Sequence, residues 1–490
     1  MSFEEELVEK RADLLGKGVD PYPYKFERSH TLAQLRAQQE ELMDKKVQVA
    51  GRLVAYRGKG KMVFADLADF DGRLQIMFRK NSFDETGWEV VRRGLDTGDW
   101  LGVSGPVFVT KMGELTVEAL EAELLAKAVV RVPISKTKEG KVFFQLADPE
   151  TKYRERYLHW ITDVDARQAM VNRAKTISSM RRFLEGRGFI EVTTPTIEMG
   201  YGGAEARPFT TEIGALSGQQ AFLRISPELP LKRFIVGGFE KVFTICQNFR
   251  NEGIDRSHNP EFTMLEWYEA FTDYHDQMEQ FETLVSTVAE EVTGSMKVTY
   301  QETEIDFKPP WRRVTVLEAL AEVGIAADGM SEDELRSELE TRKIEVPKPF
   351  SWGHGVMALF EELVEPTLTQ PTFVCDHPVE ISPLTKAKRG DPRLVERFEP
   401  MVAGFEIGNA YSELTDPIEQ RERFDTQRRM GADKEGVEHH PIDEDFIKAL
   451  GCGMPPTGGV GLGIDRLVML LTDSHSIRDV IAFPLMKPRS

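Results

Sequence analysis

Cysteine is scarce in this sequence: three residues, Cys246, Cys375 and Cys452, stand far apart and without metal-ligand spacing. A disulfide framework and a cysteine zinc site are therefore not expected, and a reducing cytosol fits best. No apolar run is long enough to cross a bilayer, because Lys, Asp or Gly interrupts every one. The first ten residues, MSFEEELVEK, lack the basic, apolar and small-residue order of a secretion signal. A Walker Gly-Lys-Ser/Thr loop is absent, as is a strand–GxGxxG–helix fingerprint opening a βαβ unit, which removes the two commonest nucleotide-binding classes. Internal repeats and low-complexity tracts are also missing. Positive charge is in deficit, with a formal net of −19, and this by itself argues against a nucleic-acid partner. The deficit is uneven: residues 1–150 carry 23 Lys and Arg against 25 Asp and Glu, so nearly all of it lies beyond them. What remains is 490 residues, 41% hydrophobic and 29% charged, enough for two or three globular domains.

The periodicity changes along the chain. A helical rhythm runs from Glu4 to Lys17 with Leu7, Leu14 and Leu15 on one side, and a second helix is expected over Leu32–Met43. From Lys46 the period becomes two. Five short strands with Gly-rich turns follow to about residue 126, the pattern of a small OB-type barrel that can bind single-stranded nucleic acid by stacking. Arg52, Arg57, Lys59, Lys61, Phe64, Arg73, Gln75 and Phe78 are candidates for its binding face; core or solvated surface is the competing role for each. Val130–Pro149 reads as a connector, Asp163–Glu185 as a long helix, Phe189–Pro195 as a short strand closed by proline, and Asp276–Thr293 as a helix. Residues 315–344 read as an acidic helical insert without a chemical motif.

Four stretches carry chemistry. In KVFTICQNFRNEGIDRSHNPEFTMLEWYEA (Lys241–Ala270) two alternating strands flank a turn-rich loop, and Arg250, Glu252 and Phe262 could meet a phosphate, an amino group and a base. A hairpin with a charged, solvated tip is the equal alternative. Glu399, Glu406, Asn409, Tyr411 and Glu413 lie in RFEPMVAGFEIGNAYSEL, where carboxylates among apolar residues need partners and suit a hard cation such as Mg²⁺; an acidic surface strand pair is the competing reading. GGVGLGIDRLVMLL lets a ligand approach the backbone and ends at Arg466, although loose glycine patterns are more often packing. Glu228, in SPELPLKR, could cap a helix or hold a substrate ammonium, and the residues alone leave both open.

Taken together, these stretches resemble the class II aminoacyl-tRNA synthetases. FRNEGIDRSHNPEF is similar to their motif 2, GLGIDR to motif 3 and GFIEVTTP to motif 1, the dimer-interface strand. GGAEARPF, PELPLKR, EIGNAYSEL and SIRDVIAFP resemble the bacterial type of lysyl enzyme, and the likeness spans nearly the whole chain. The resemblance implies an α+β fold: a catalytic domain on a mainly antiparallel sheet flanked by helices, with an N-terminal OB-fold barrel. The implied division is a helical segment (1–44), an anticodon-binding barrel (45–130), a linker (131–150) and the catalytic domain (151–490).

It further implies that lysine is activated with ATP and passed to tRNA(Lys) by a cytoplasmic homodimer that has no membrane partner. Arg250 would bridge the α-phosphate and the amino-acid carboxylate. Glu252 and Phe262 would read and stack adenine; Arg466 would cover its other face, and His258 and Asn259 would contact the nucleotide. Glu399 and Glu406 would hold Mg²⁺. Gly203 and Glu228 would take the α-amino group, Glu413 and Tyr268 the ε-ammonium, with Glu266, Asn409 and Tyr411 lining the pocket. Phe64 and Gln75 fall where the family reads the anticodon. Pro230, Cys246-Gln247 and RYLHWI depart from the family's usual text without removing a catalytic group. The competing readings are a lysine-ligating paralogue, which would lack the barrel, and a non-catalytic RNA-binding regulator, which would have lost an arginine or a carboxylate. An aspartyl or asparaginyl enzyme would place a cation in the pocket.

Overall fold

The computed structural model describes residues 2–58, 60–134, 136–138, 141–143, 146, 148–204, 206–431 and 443–489. The chain divides between Val164 and Asp165 into two compact units.

In the first unit, helix α1 (Phe3–Gly16) begins with a capping box in which Ser2 and Glu5 satisfy each other's backbone N–H groups. Leu7 and Leu14 are buried, but Leu15 is exposed. The expected helix over Leu32–Met43 is two short ones, Leu32–Ala37 and Gln39–Leu42, because Gln38 between them leaves helical geometry at φ −103°, ψ 22°. The barrel strands are β1 (Lys46–Arg57), β2 (Met62–Ala68), β3 (Arg73–Arg79), β4 (Trp100–Val109), β5 (Leu115–Ala119) and β6 (Glu121–Ala126). They run in the order β1-β2-β3-β5-β4-β6, and β4 closes the barrel by pairing with β1. The last expected strand is thus broken at Leu120, and both halves pair with β4.

Alternation along β2 and β3 sends Val63, Ala65, Leu67, Leu74, Ile76 and Phe78 into the barrel core. Phe78 is fully buried and is therefore not on a binding face. Phe64 and Gln75 are partly buried on the opposite parity, beside Asp66, whose two oxygens pair with Arg57 at 2.9 Å and Arg73 at 2.7 Å. Arg52 packs over the Trp100 ring and donates to the Gly98 carbonyl, a structural role. Lys61 is exposed, and Lys59 lies outside the described residues. So does Gly140 of the connector, within which Lys136–Lys138 pairs with Lys141–Phe143.

Helix α2 (Val164–Glu185) leads into the second unit, whose ten-stranded sheet is built from β7 (Ile190–Glu191), β8 (Lys241–Phe249), β9 (Glu261–Ala270), β10 (Arg312–Thr315), β11 (Thr372–Pro378), β12 (Asp391–Val402), β13 (Gly408–Ser412) and β14 (Thr457–Gly463). The path is β10-β11-β12-β13-β14-β9-β8-β7, with two short strands pairing on β12. Only β7/β8 and β10/β11 are parallel along that path. The motif 1 stretch forms just two strand residues, because only Ile190 and Glu191 find partners on β8.

One face of the sheet is closed by helix α3 (Tyr274–Thr293). Its Met278, Phe281 and Leu284 pack with Leu265, Trp267, Phe373 and Phe398 in one apolar cluster. Trp267 adds a 2.7 Å hydrogen bond from its indole N–H to Gln277 Oε1. Burying each such large side chain is worth about 1.5–3 kcal/mol, so this layer fixes the sheet from behind. The insert forms α4 (Val316–Glu322) and α5 (Glu332–Arg342), which pack on α6 (Trp352–Leu363) through Leu335, Leu339 and Phe360. The other face of the sheet is open over its middle strands.

Candidate active site

A cavity of about 1520 Å³ lies on that open face. Its floor is set by strand register. Tyr268, Gly459, Tyr411 and Arg397 stand opposite one another on β9, β14, β13 and β12. One pleat further, Glu266, Gly461 and Asn409 form a second row. Directly opposed residues share a face, so the glycines of β14 form a bare track between two walls of functional side chains. A methyl at Gly459 would stand 2.0 Å from Glu413 Oε1 and 2.4 Å from the Tyr268 ring, so only hydrogen fits.

At one end of the cavity the guanidiniums face the ligand space. Arg250 follows β8, packs over the Phe262 ring with its Cζ 5.1 Å from the centroid, and donates from Nε to the Ile225 carbonyl at 3.4 Å. Burial pushes its pKa down, and Glu406, Glu252 and Glu266 push it back up. Arg466 donates to the Glu406 carbonyl at 2.7 Å and approaches His258 Nε2 at 3.2 Å, while His258 Nδ1 pairs with Asp255 at 2.8 Å. Asn259 is buried; its amide nitrogen donates to the Glu261 carbonyl, and its Oδ1 has no hydrogen-bond partner among the described residues. Glu252 is exposed at the rim. Glu399 pairs with Arg397, which also donates to Asn409 Oδ1 at 3.0 Å. Burial raises Glu406, and the neighbouring Glu399 raises it further. A divalent cation between these two carboxylates would relieve that repulsion, and Mg²⁺ takes only one or two protein oxygens when phosphates supply the rest. Among the described residues no group of three or more His, Cys, Asp or Glu forms a metal cage.

The other end is anionic. Glu228 is the first residue of the helix Glu228–Val236, and its Oε1 accepts from Lys232 Nζ at 2.6 Å. Glu266 accepts from Ser226 Oγ at 3.1 Å, and the same hydroxyl accepts from the Glu228 N–H at 3.1 Å. Gly203, at φ +85°, brings its backbone against Glu228 and Ser226. Burial, then the Glu228 charge, pushes Glu266 up to about 8. Burial also raises Tyr268 and Tyr411.

Of the residues singled out in the sequence of the second unit, fourteen line this cavity: Gly203, Glu228, Arg250, Glu252, His258, Asn259, Phe262, Glu266, Tyr268, Glu399, Glu406, Asn409, Tyr411 and Arg466. Glu413 does not. It is fully buried against Gly459, where Lys232 Nζ lies 2.5 Å from its Oε2 and 2.6 Å from Glu228 Oε1. The sequence predicts a substrate cation at Glu413; in the structure it also has a resident one, Lys232. Lys232 was missed although it sits in PELPLKR, because a lysine four residues after a glutamate reads as an ordinary surface helix pair. Asp465 was missed too: it accepts from the Thr263 N–H at 2.6 Å and pairs with Arg173, tying the start of the Arg466 helix to β9.

Residues 148–487 match the family model described as tRNA synthetases class II (D, K and N), and residues 47–125 match an OB-fold nucleic acid binding domain. Similar full-length proteins include the lysine–tRNA ligases of Clostridium perfringens (47% identical, covering 99% of this chain and 97% of the relative) and Carboxydothermus hydrogenoformans (47%, 98% and 97%). That of Pelotomaculum thermopropionicum is 48% identical over 98% of this chain and 94% of its own.

Proposed function

The chain belongs to the class II tRNA synthetases of the D, K and N group, and we propose that its cavity activates L-lysine with ATP before tRNA(Lys) takes the lysyl group. Its likeness to lysine–tRNA ligases over essentially its whole length makes it a ligase that forms aminoacyl-tRNA. The observation that carries the lysine reading is the anionic end of the cavity, with Glu228 and Glu266 on its wall and Glu413 buried against Gly459.

In this reading the lysine carboxylate attacks the α-phosphate of ATP, pyrophosphate leaves, and the 3′-terminal adenosine hydroxyl of the tRNA then attacks the lysyl carbonyl and releases AMP. Arg250 holds the α-phosphate and the attacking carboxylate together. Phe262 and Arg466 sandwich adenine, Glu252 accepts from its amino group, and His258 and Asn259 meet the nucleotide. Glu399 and Glu406 would hold Mg²⁺, which supplies charge neutralisation at the phosphates. No protein nucleophile is needed, since positioning and fixed positive charge lower the barrier. Gly203 and Glu228 receive the α-ammonium. Tyr268 and the free Oε1 of Glu413 receive the ε-ammonium, with Glu266, Asn409 and Tyr411 closing the pocket. A neutral side chain would leave buried carboxylates unpaired, at a cost of about several kcal/mol.

The proposed division is 1–44, 45–130, 131–150 and 151–490, with Phe64 and Gln75 on the anticodon-reading face. No helix among the described residues is long and apolar enough to cross a membrane. The proposed state is a cytoplasmic homodimer. Arg250→Ala is expected to abolish lysine-dependent ATP–pyrophosphate exchange, and a near-normal rate would overturn its role.

A further inference from the structure

Lys232 is wholly buried, does not line the cavity, and yet touches two of the three carboxylates at its anionic end. It stands one helical turn after Glu228, so the geometry of the helix itself brings the two together. Glu413 arrives from the far side, one residue past β13, where its N–H donates to the Thr457 carbonyl at 2.8 Å. The ammonium therefore bridges two segments more than 180 residues apart in sequence. The Phe446 ring stands 5.9 Å from it. No other cation touches Glu228, Glu266 or Glu413 among the described residues; Arg397 and Arg250 act on Glu228 and Glu266 through space.

The ammonium donates a hydrogen bond to Glu228 and forms an ion pair with Glu413, neither of whose oxygens has a hydrogen-bond partner among the described residues. Three buried carboxylates face one resident ammonium. A bound lysine would add two more ammonium groups, and its carboxylate would go to Arg250. The anions and cations of the chamber then match one to one. Without Lys232, two desolvated carboxylates near a third would hold protons more tightly still, since like charges in a dry site cannot all stay ionised.

Resting on the lysine reading, we infer that Lys232 is a positioning residue for amino-acid selection: its ammonium holds Glu228 and Glu413 in place and opposes their protonation, so that the chamber accepts a dicationic amino acid. It touches no reacting atom. Its influence passes through the two carboxylates, and the groups that share their surroundings are Glu266 and Tyr268 on β9, Tyr411 on β13, Arg397 on β12 and Arg250 after β8. The ammonium itself is held charged: burial opposes this most strongly, and Glu228 and Glu413 outweigh it.

The test is Lys232→Met, which keeps the volume of the side chain, assayed by lysine-dependent ATP–pyrophosphate exchange between pH 7 and pH 9. The KM for lysine should rise at least tenfold at pH 7 while the KM for ATP stays within about twofold. The ratio of variant to wild-type lysine KM should then shrink as pH rises and the abandoned carboxylates ionise. A lysine KM that is unchanged or lower, or a ratio independent of pH, overturns the inference. Should that variant fail to fold, Lys232→Met/Glu413→Gln removes one anion with the cation, and the same shrinking ratio is required of it because Glu228 has still lost its partner. Wild-type protein in the same assay separates the two claims: exchange that does not depend on lysine removes the functional reading, whereas lysine-dependent wild type with an unaffected variant removes only the role of Lys232.

Discussion

Gly459→Ala changes one hydrogen to a methyl, yet it should separate the two ends of the cavity. The added carbon would stand 2.0 Å from Glu413 Oε1 and 2.4 and 2.7 Å from two carbons of the Tyr268 ring. Ordinary contact begins near 3.4 Å. The carboxylate, the ring or the strand must therefore withdraw by roughly 1 Å, and displacements of that size at a reacting site can cost about a hundredfold. Overpacking of a well-filled interior costs about 1–3 kcal/mol in stability, which leaves a folded protein. The prediction is a kcat/KM for lysine about 10- to 100-fold lower in ATP–pyrophosphate exchange, with the KM for ATP nearly unchanged, because Arg250, Phe262 and Arg466 touch other parts of the sheet. Circular dichroism and thermal melting check that the fold persists. A variant that melts normally and binds lysine normally would refute the packing argument. One that loses ATP and lysine equally would refute the division of the cavity into two ends.

Two further outcomes follow from the geometry. Burial places both Glu266 and Glu413 at about 8, with Glu228 adding to each and Lys232 opposing the rise at Glu413. A substrate ammonium favours their ionised forms, which are scarce below that value, so lysine binding should release protons and its KM should fall from pH 7 to pH 8.5; a flat or rising KM contradicts this. On the barrel, Phe64→Ala removes a surface for stacking a base worth about 1–3 kcal/mol, so the KM for tRNA should rise about 5- to 150-fold while pyrophosphate exchange is spared; equal damage to both steps refutes the assignment of that face.

The barrel and the central hairpin were legible because strand alternation and turn residues are local signals. Period two over Met62–Ala68 and Arg73–Arg79 shows two faces, but it does not say which one is inside. Phe78 was assigned outward for that reason, and only closure of the barrel against β5 decides it. The break at Leu120 was hidden in a continuous β-like run, since a kink that lets one segment serve two strand positions leaves no turn residue behind. In the cavity, the residues that present chemistry to a ligand stood out through motif spacing. Those that hold them did not. Lys232 looked like a solvated helix pair and Asp465 like a helix-start carboxylate, because burial, which turns each into an anchor, arises only from contacts with strands distant in sequence.

The account rests on a nucleotide gripped between Arg250 and Arg466 beside a chamber that admits only a dicationic amino acid. ATP–pyrophosphate exchange measured separately with each of the twenty amino acids tests this most directly. Lysine should support exchange at a rate at least about a hundredfold above every other amino acid. Comparable exchange with a neutral or acidic amino acid, or none with lysine, would contradict it.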